Sequence, residues 1–269
     1  MTLPLVTSFV DLCDAVLSND SLSANRMLQM IKKDMKKVAD QFLGNMMHDA
    51  SEFLLTFLNV LSSNLDQLAS EETSVVNLVT TNFKYWLEES ITCSSCGILD
   101  SRVNSDVVFP VCIPQQELTT LQNLFIDSLD KEVRERRCDQ CDGQHASVVS
   151  KLKTLPRALL IVIKRYSLCG EERNQRVIKN ISAVDIPDTL YVDSITEKGA
   201  SSPFHHSQGH NNASEQPSNK YILAGIVSHT GVDFNSGHYV ADVKRIDKEG
   251  QWLKFSDSYV TPTDILSVR

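Results

Sequence analysis

Two Cys-x-x-Cys pairs constrain this chain more than any other feature: Cys93 and Cys96 in "ITCSSCG", and Cys138 and Cys141 in "RRCDQCDG". Each pair bends the backbone so that two thiolates face one ion about 2.3 Å away, and two such turns together close a tetrahedral structural zinc site. About forty residues separate the pairs. The chain must therefore leave the first turn and return to it, which calls for a β excursion rather than a compact finger. Gly97 and Gly143 follow the pairs and ease the turns around the ion. Four thiolates leave no open coordination position, so the Zn2+ expected here is scaffold and not catalyst. Four unrelated buried cysteines are the alternative, and the paired spacing fits them poorly.

Seven cysteines, an odd number with four in such pairs, suit a reduced compartment and not a disulfide framework, so a cytoplasmic or nuclear location is expected. A chain of 269 residues that is 42% hydrophobic can bury a substantial core. Its net charge of -8 argues against nucleic acid as the main partner and favours a protein with a basic face. The opening "MTLPLVTSFVDLCDAVL" lacks the basic n-region of a secretory signal. No apolar run approaches the roughly 20 residues that a membrane span needs, so no membrane partner is expected.

Residues 22–40, "LSANRMLQMIKKDMKKVAD", alternate apolar and basic positions at helical spacing, with the lysines on a solvated face. In "HDASEFLLTFLNVLSSNLDQLA", Phe53, Phe57, Leu61, Leu65 and Leu68 form one stripe. Asp49 stands there as N-cap, with Glu52 three residues on as in a capping box. After "ASEETS" the texture changes to short runs of Val, Ile and Leu punctuated by Pro and Gly, so the second half is mainly sheet. "DKEVRERRC" reads as a solvated charged surface. Residues 193–219 are polar and poor in aliphatics, which predicts a flexible insertion. Its His205, His206 and His210 have no fixed geometry nearby to make them metal ligands. "YILAGIVSH", "HYVADVKRI" and "WLKFSDSYV" then predict three strands joined as antiparallel hairpins.

The chemistry-bearing candidate is His238 in "SGHYVADV". A general base needs an oriented imidazole, a partner for its other nitrogen, and a nucleophile within reach. Gly237 removes a side chain beside the ring, and Ser256 and Asp257 lie one hairpin away. A lone histidine in a strand is equally a structural residue, and spacing alone does not separate the two roles.

Taken together, these stretches resemble the ubiquitin-specific proteases, the papain-like cysteine deubiquitinases. "MMHDASEFLLTFL" is similar to the family's Gln-Gln-Asp-Ala-His-Glu-Phe-Leu segment. "LPRALLIVIKRYSL" is similar to its Leu-Pro-x-x-Leu-x-x-x-Leu-Lys-Arg-Phe strand. The two cysteine pairs resemble its zinc-bearing fingers, and "YILAGIVSHTGVDFNSGHYVADV" with "QWLKFSDSYVTP" resembles its histidine box, in the same order.

The resemblance implies an α+β fold with a helical thumb (1–72), zinc-bearing β fingers (73–150) and an antiparallel palm (151–269) within one domain. It implies hydrolysis of the isopeptide bond at the ubiquitin C-terminus, with ubiquitin and ubiquitinated proteins as partners. His238 would be the base, oriented by Ser256 or Asp257. Asp49, Glu52 and Gly237 would bind the ubiquitin tail, and residues 230–236 would close over it. For Glu52 that role competes with the capping box.

The sequence departs from the family in two ways. Where the family places Asn or Asp after the aromatic of "KFSDS", this chain has Ser256, with Asp257 next. A serine accepts the imidazole N–H but carries no charge, so a weaker base is expected. Nor does any string like the family's nucleophile box, Gly-Asn-Thr-Cys-Tyr-Met-Asn-Ala, occur in the 269 residues. Cys13 sits in an apolar helical pattern and reads as a core residue. Cys112 and Cys169 flank strands. The resemblance therefore implies a domain incomplete at both ends and inactive as it stands. A non-catalytic ubiquitin-binding pseudoenzyme and a zinc-stabilised structural module are the alternatives.

Overall fold

Helix α1 (Pro4–Leu17) opens on Pro4, whose fixed φ and missing N–H suit a first helical turn. Helix α2 (Ser21–Val38) starts where the Asp20 carboxylate accepts the Ser23 N–H at 3.1 Å. A 3₁₀ turn at Asp40–Phe42 follows, then α3 (Ala50–Glu71) and the short α4 (Leu78–Phe83). The computed structural model describes residues 3–43, 47–114, 118–169, 176–192, 219–231, 236–245 and 250–264. The insertion expected at 193–219, with its histidines, lies outside the described residues except for Asn219. So does most of the 230–236 loop.

The chain divides into two compact units, one ending at Asn82 and the other starting at Phe83. In the first unit, the predicted helix over 22–40 is α2 and the 53–68 stripe lies on α3. Leu5, Ile31, Met35, Ala39 and Phe42 form a buried cluster, and Phe53 and Phe57 pack against it. The Phe42 and Phe53 rings meet edge to face at 5.2 Å.

In the second unit, an antiparallel sheet of order β2-β1-β6-β5 is built from β1 (Tyr85–Cys93), β2 (Leu99–Asp106), β5 (Glu132–Glu135) and β6 (His145–Thr154). Between them in sequence lie β3 (Phe109–Cys112), β4 (Thr119–Thr120) and helix α5 (Leu121–Asp127). "DKEVRERRC", expected as a solvated charged surface, contains β5 and is solvated there. Every β5 residue is exposed, so no apolar alternation marks it as a strand. Helix α5 drives Leu124 and Phe125 into a core with Tyr85, Phe109, Val111 and Leu152. β7 (Ile161–Lys164) runs parallel to β3, and β8 (Tyr166–Cys169) pairs antiparallel with β9 (Arg176–Lys179). β10 (Val184–Asp185) joins β4 in parallel, and β11 (Thr189–Tyr191) pairs with β12 (Lys220–Ile222).

The last sheet is an antiparallel meander: β13 (Gly225–Thr230), β14 (His238–Lys244), β15 (Trp252–Ser256) and β16 (Tyr259–Thr263). Two of the three predicted strands are each broken in two, the first at 223–224 and the third at the Asp257–Ser258 turn. Helices first and mainly antiparallel sheets after, with β3–β7 and β4–β10 paired in parallel, make the α+β architecture that the sequence predicts.

Candidate active site

His238 begins β14, opposite Thr230, whose hydroxyl donates to the His238 carbonyl at 3.0 Å. Lys254 pairs with Asp242, which puts 252, 254 and 256 on the same sheet face as 238, 240 and 242. Strand parity therefore aims Ser256 at His238, and its Oγ lies 2.8 Å from the imidazole Nε2. Asp257 falls into the two-residue turn that Ser256 and Tyr259 close, with φ +50, a conformation Asp tolerates. Its carboxylate lies 3.9 Å from the same nitrogen, beyond hydrogen-bonding distance, and is 82% exposed. With the proton on Nε2, Ser256 would accept it and Nδ1 would keep its lone pair for proton transfer.

Gly237 is required by crowding. A Cβ there would lie 2.3 Å from Nε2 of His229 and 2.4 Å from the Thr230 carbonyl. The space a side chain would fill is taken by a second imidazole, that of His229, which no motif in the sequence singles out. Its only sequence signal is its place in the "SHTG" that opens the same hairpin.

Asp49 and Glu52 lie at the start of α3 in the first unit. The Asp49 carboxylate accepts the amides of Ser51 at 2.8 Å and Glu52 at 3.0 Å, as well as the Ser51 hydroxyl. The Asp49 carboxylate thus serves as the helix cap, while Glu52, in the helix's first turn, is exposed. Asp49→Ala is expected to lower stability by about 1 kcal/mol, and Glu52→Ala by much less, as read by denaturant unfolding.

The four paired cysteines converge at the tip of the first sheet. Sγ of Cys93 lies 3.6 Å from that of Cys141, Cys96 lies 3.8 Å from Cys138, and all four lie within 4.8 Å of one another. A tetrahedral ion with bonds of about 2.3 Å needs sulfurs about 3.8 Å apart, so the set can hold a metal ion. Gly97 turns the first knuckle at φ +71, where a left-handed residue is needed. Backbone N–H groups of Cys96 and Ser95 draw the Cys93 thiol down to about 6. At Cys141 the Gly143 N–H also pulls down, but hydrogen bonds with the other thiols drive it up to about 12. A bound cation would favour the thiolate at each sulfur.

Beside this tip, Glu89 is 4% exposed yet fully engaged. Its oxygens accept from Arg102 at 2.6 Å, Asn104 at 2.8 Å and Arg134 at 2.7 Å. Burial pushes its carboxyl up, but the two arginines outweigh that and hold it below the ordinary range. Cys13, expected in the core, is exposed on α1 because it falls on the helix's outer face. Burial of its sulfur and the neighbouring Asp14 push its thiol up, the direction opposite to an activated nucleophile.

The family model described as Ubiquitin carboxyl-terminal hydrolase matches residues 4–268. Ubiquitin carboxyl-terminal hydrolase 9 of Saccharomyces cerevisiae is 29% identical over 95% of this chain and 33% of its own length. The probable ubiquitin carboxyl-terminal hydrolase creB of Neosartorya fischeri is 26% identical over 98% of this chain and 36% of its own. The chain thus spans about a third of the length of the curated relatives it matches. Among solved structures, the SAGA Ubp8/Sgf11/Sus1/Sgf73 DUB module bound to ubiquitin aldehyde aligns with TM-score 0.68 at 23% identity. That alignment covers 90% of this chain and 51% of that one, and the likeness is one of fold. No helix among the described residues is long and apolar enough to cross a membrane.

Proposed function

The chain belongs to the ubiquitin carboxyl-terminal hydrolase family, and from that premise we propose that it works in deubiquitination, with His238 as the base of a thiol-dependent hydrolysis at the ubiquitin C-terminus. The observation that carries the reading is the 2.8 Å contact between Nε2 of His238 and Oγ of Ser256, which leaves Nδ1 to take a thiol proton. The same nitrogen then returns the proton to the departing lysine amine. Ser256 orients the ring, and Asp257 favours the Nε2–H form. In this reading the exposed Glu52 carboxylate holds the basic ubiquitin tail, with Asp49 shaping the helix end and Gly237 keeping the backbone before His238 bare. Residues 1–72, 73–150 and 151–269 serve as thumb, fingers and palm. Zinc is the ion of the four-cysteine cluster.

Cys13 is not activated, its thiol being pushed up, and we infer that the 269 residues alone bind ubiquitin without cleaving it. Two measurements test this. Titration with ubiquitin should give saturable binding that Glu52→Arg weakens at least tenfold, the loss of one charge-assisted contact plus the new repulsion. No binding at high micromolar concentration rejects the reading. Ubiquitin with an electrophilic C-terminus should give no covalent adduct, and labelling that disappears in Cys13→Ala would show that Cys13 is the nucleophile after all.

A further inference from the structure

Lys179 ends β9, opposite Tyr166 on β8, and its ammonium reaches into the hairpin that carries His238. Nζ lies 2.7 Å from the Gly231 carbonyl, 3.2 Å from the His229 carbonyl and 2.9 Å from Nδ1 of His229. An ammonium has three donors and no acceptor, and here three acceptors meet it. The lone pair of Nδ1 is therefore engaged, and the His229 ring carries its proton on Nε2. The Tyr166 hydroxyl, 3.3 Å from Nδ1, approaches the same side of the ring, and Tyr239 packs on the ring at 4.8 Å between centroids.

The far edge of this imidazole lies against Gly237, where a Cβ would fall 2.3 Å from Nε2. Gly231 closes the neck from the other strand: a Cβ there would lie 2.3 Å from the Ser236 carbonyl and 2.8 Å from the Gly237 Cα. One ammonium thus grips Gly231 directly and Gly237 through the His229 ring. The next residue along the chain is His238.

We propose that Lys179 is a positioning residue: by holding His229 in its Nε2–H form and the Gly231 carbonyl in place, it sets the backbone that delivers His238 to Ser256. The significance of that placement rests on His238 being the base proposed above. The three acceptors converge on one point, which suits a compact ammonium and not the planar fork of an arginine.

Nitrogen-15 spectra of histidines in the full chain, with His229 assigned through His229→Gln, test the contact without ubiquitin. The expected result at neutral pH is a single neutral His229 form with a protonated Nε2 and an unprotonated Nδ1. In Lys179→Met that form should give way to a mixture of tautomers, and the amide signals of Gly237 and His238 should shift. A doubly protonated ring, a protonated Nδ1 or a tautomer mixture in the unsubstituted protein overturns the proposal, as does a His229 spectrum unchanged by Lys179→Met. The unsubstituted spectrum stands by itself should Lys179→Met fail to fold. Where the native protein carrying this chain turns over ubiquitin conjugates, Lys179→Met should lower kcat by about 10²-fold, the cost of misplacing a reacting group by about 1 Å, with KM little changed. A loss confined to KM refutes positioning. Absence of ubiquitin binding or turnover in the unsubstituted protein counts against the functional reading and leaves the His229 result to be judged separately.

Discussion

Replacing Cys138 by serine should remove the metal ion and, with it, the order at the tip of the β2-β1-β6-β5 sheet. Metal content is expected to fall from about one zinc per chain to none, since closed structural sites of this type need all four donors. An ion there would matter to the sheet because β2 and β5, its two edges, are exposed along their whole length. The tip's own buried cluster is Ile91, Ala146 and Val148. Burying an Ile or Val contributes about 1.5–3 kcal/mol, whereas zinc binding in small zinc-dependent peptides is worth about 10–16 kcal/mol. Hydrogen exchange should therefore lose protection at the Cys93 and Ala146 ends of β1 and β6 but keep it around Phe109 and Phe125, whose rings pack at 4.7 Å. Unchanged protection after metal loss would show that the cysteine cluster is not structural.

The same site has a definite pH direction. Zinc requires thiolates, and backbone N–H groups draw the Cys93 thiol down to about 6 while, against the pull of the Gly143 N–H, hydrogen bonds with the other thiols drive Cys141 up to about 12. Protons compete for the sulfurs as pH falls, so zinc affinity and the order it supports should decrease toward acid.

How much of this was legible beforehand depends on how local each signal is. Helices α2 and α3 could be read because their apolar stripes repeat at helical spacing, and Asp49 marks its cap in the sequence itself. The cysteine pairs could be read because chemistry fixes their spacing. Helix α5 is only seven residues long, too short for a periodic stripe, and the Thr120 cap was its main clue. Arg134 looked like one charge among many in a solvated run. Its contact with buried Glu89 spans forty-five residues of sequence and exists only after β5 joins β6.

At the candidate site, His238 and its two acidic-or-hydroxyl neighbours were visible, but which of Ser256 and Asp257 lies within hydrogen-bonding distance of the ring was not. It turns on strand parity: the Lys254–Asp242 pairing puts Ser256 on the histidine's face and leaves Asp257 in the turn. His229 and Lys179 were missed for a similar reason. They are fifty residues apart, and only the approach of β9 to the β13–β14 hairpin makes them partners.

The second large effect is His238→Ala in the native protein that carries this chain, assayed by release of a fluorophore from the ubiquitin C-terminus. In the function proposed above, His238 offers Nδ1 as proton acceptor; its Nε2 lies 2.8 Å from the Ser256 hydroxyl, which no other described histidine approaches. Losing a general base costs about 10²–10⁴-fold, and the loss should fall on kcat with KM nearly unchanged, because the ring acts on the reacting atoms and not on the ubiquitin surface. That measurement, kcat and KM for unsubstituted and His238→Ala protein side by side, bears most directly on the account. A drop of about 10²-fold or more in kcat at near-constant KM is the predicted result; a drop of less than threefold, or one carried wholly by KM, would contradict it.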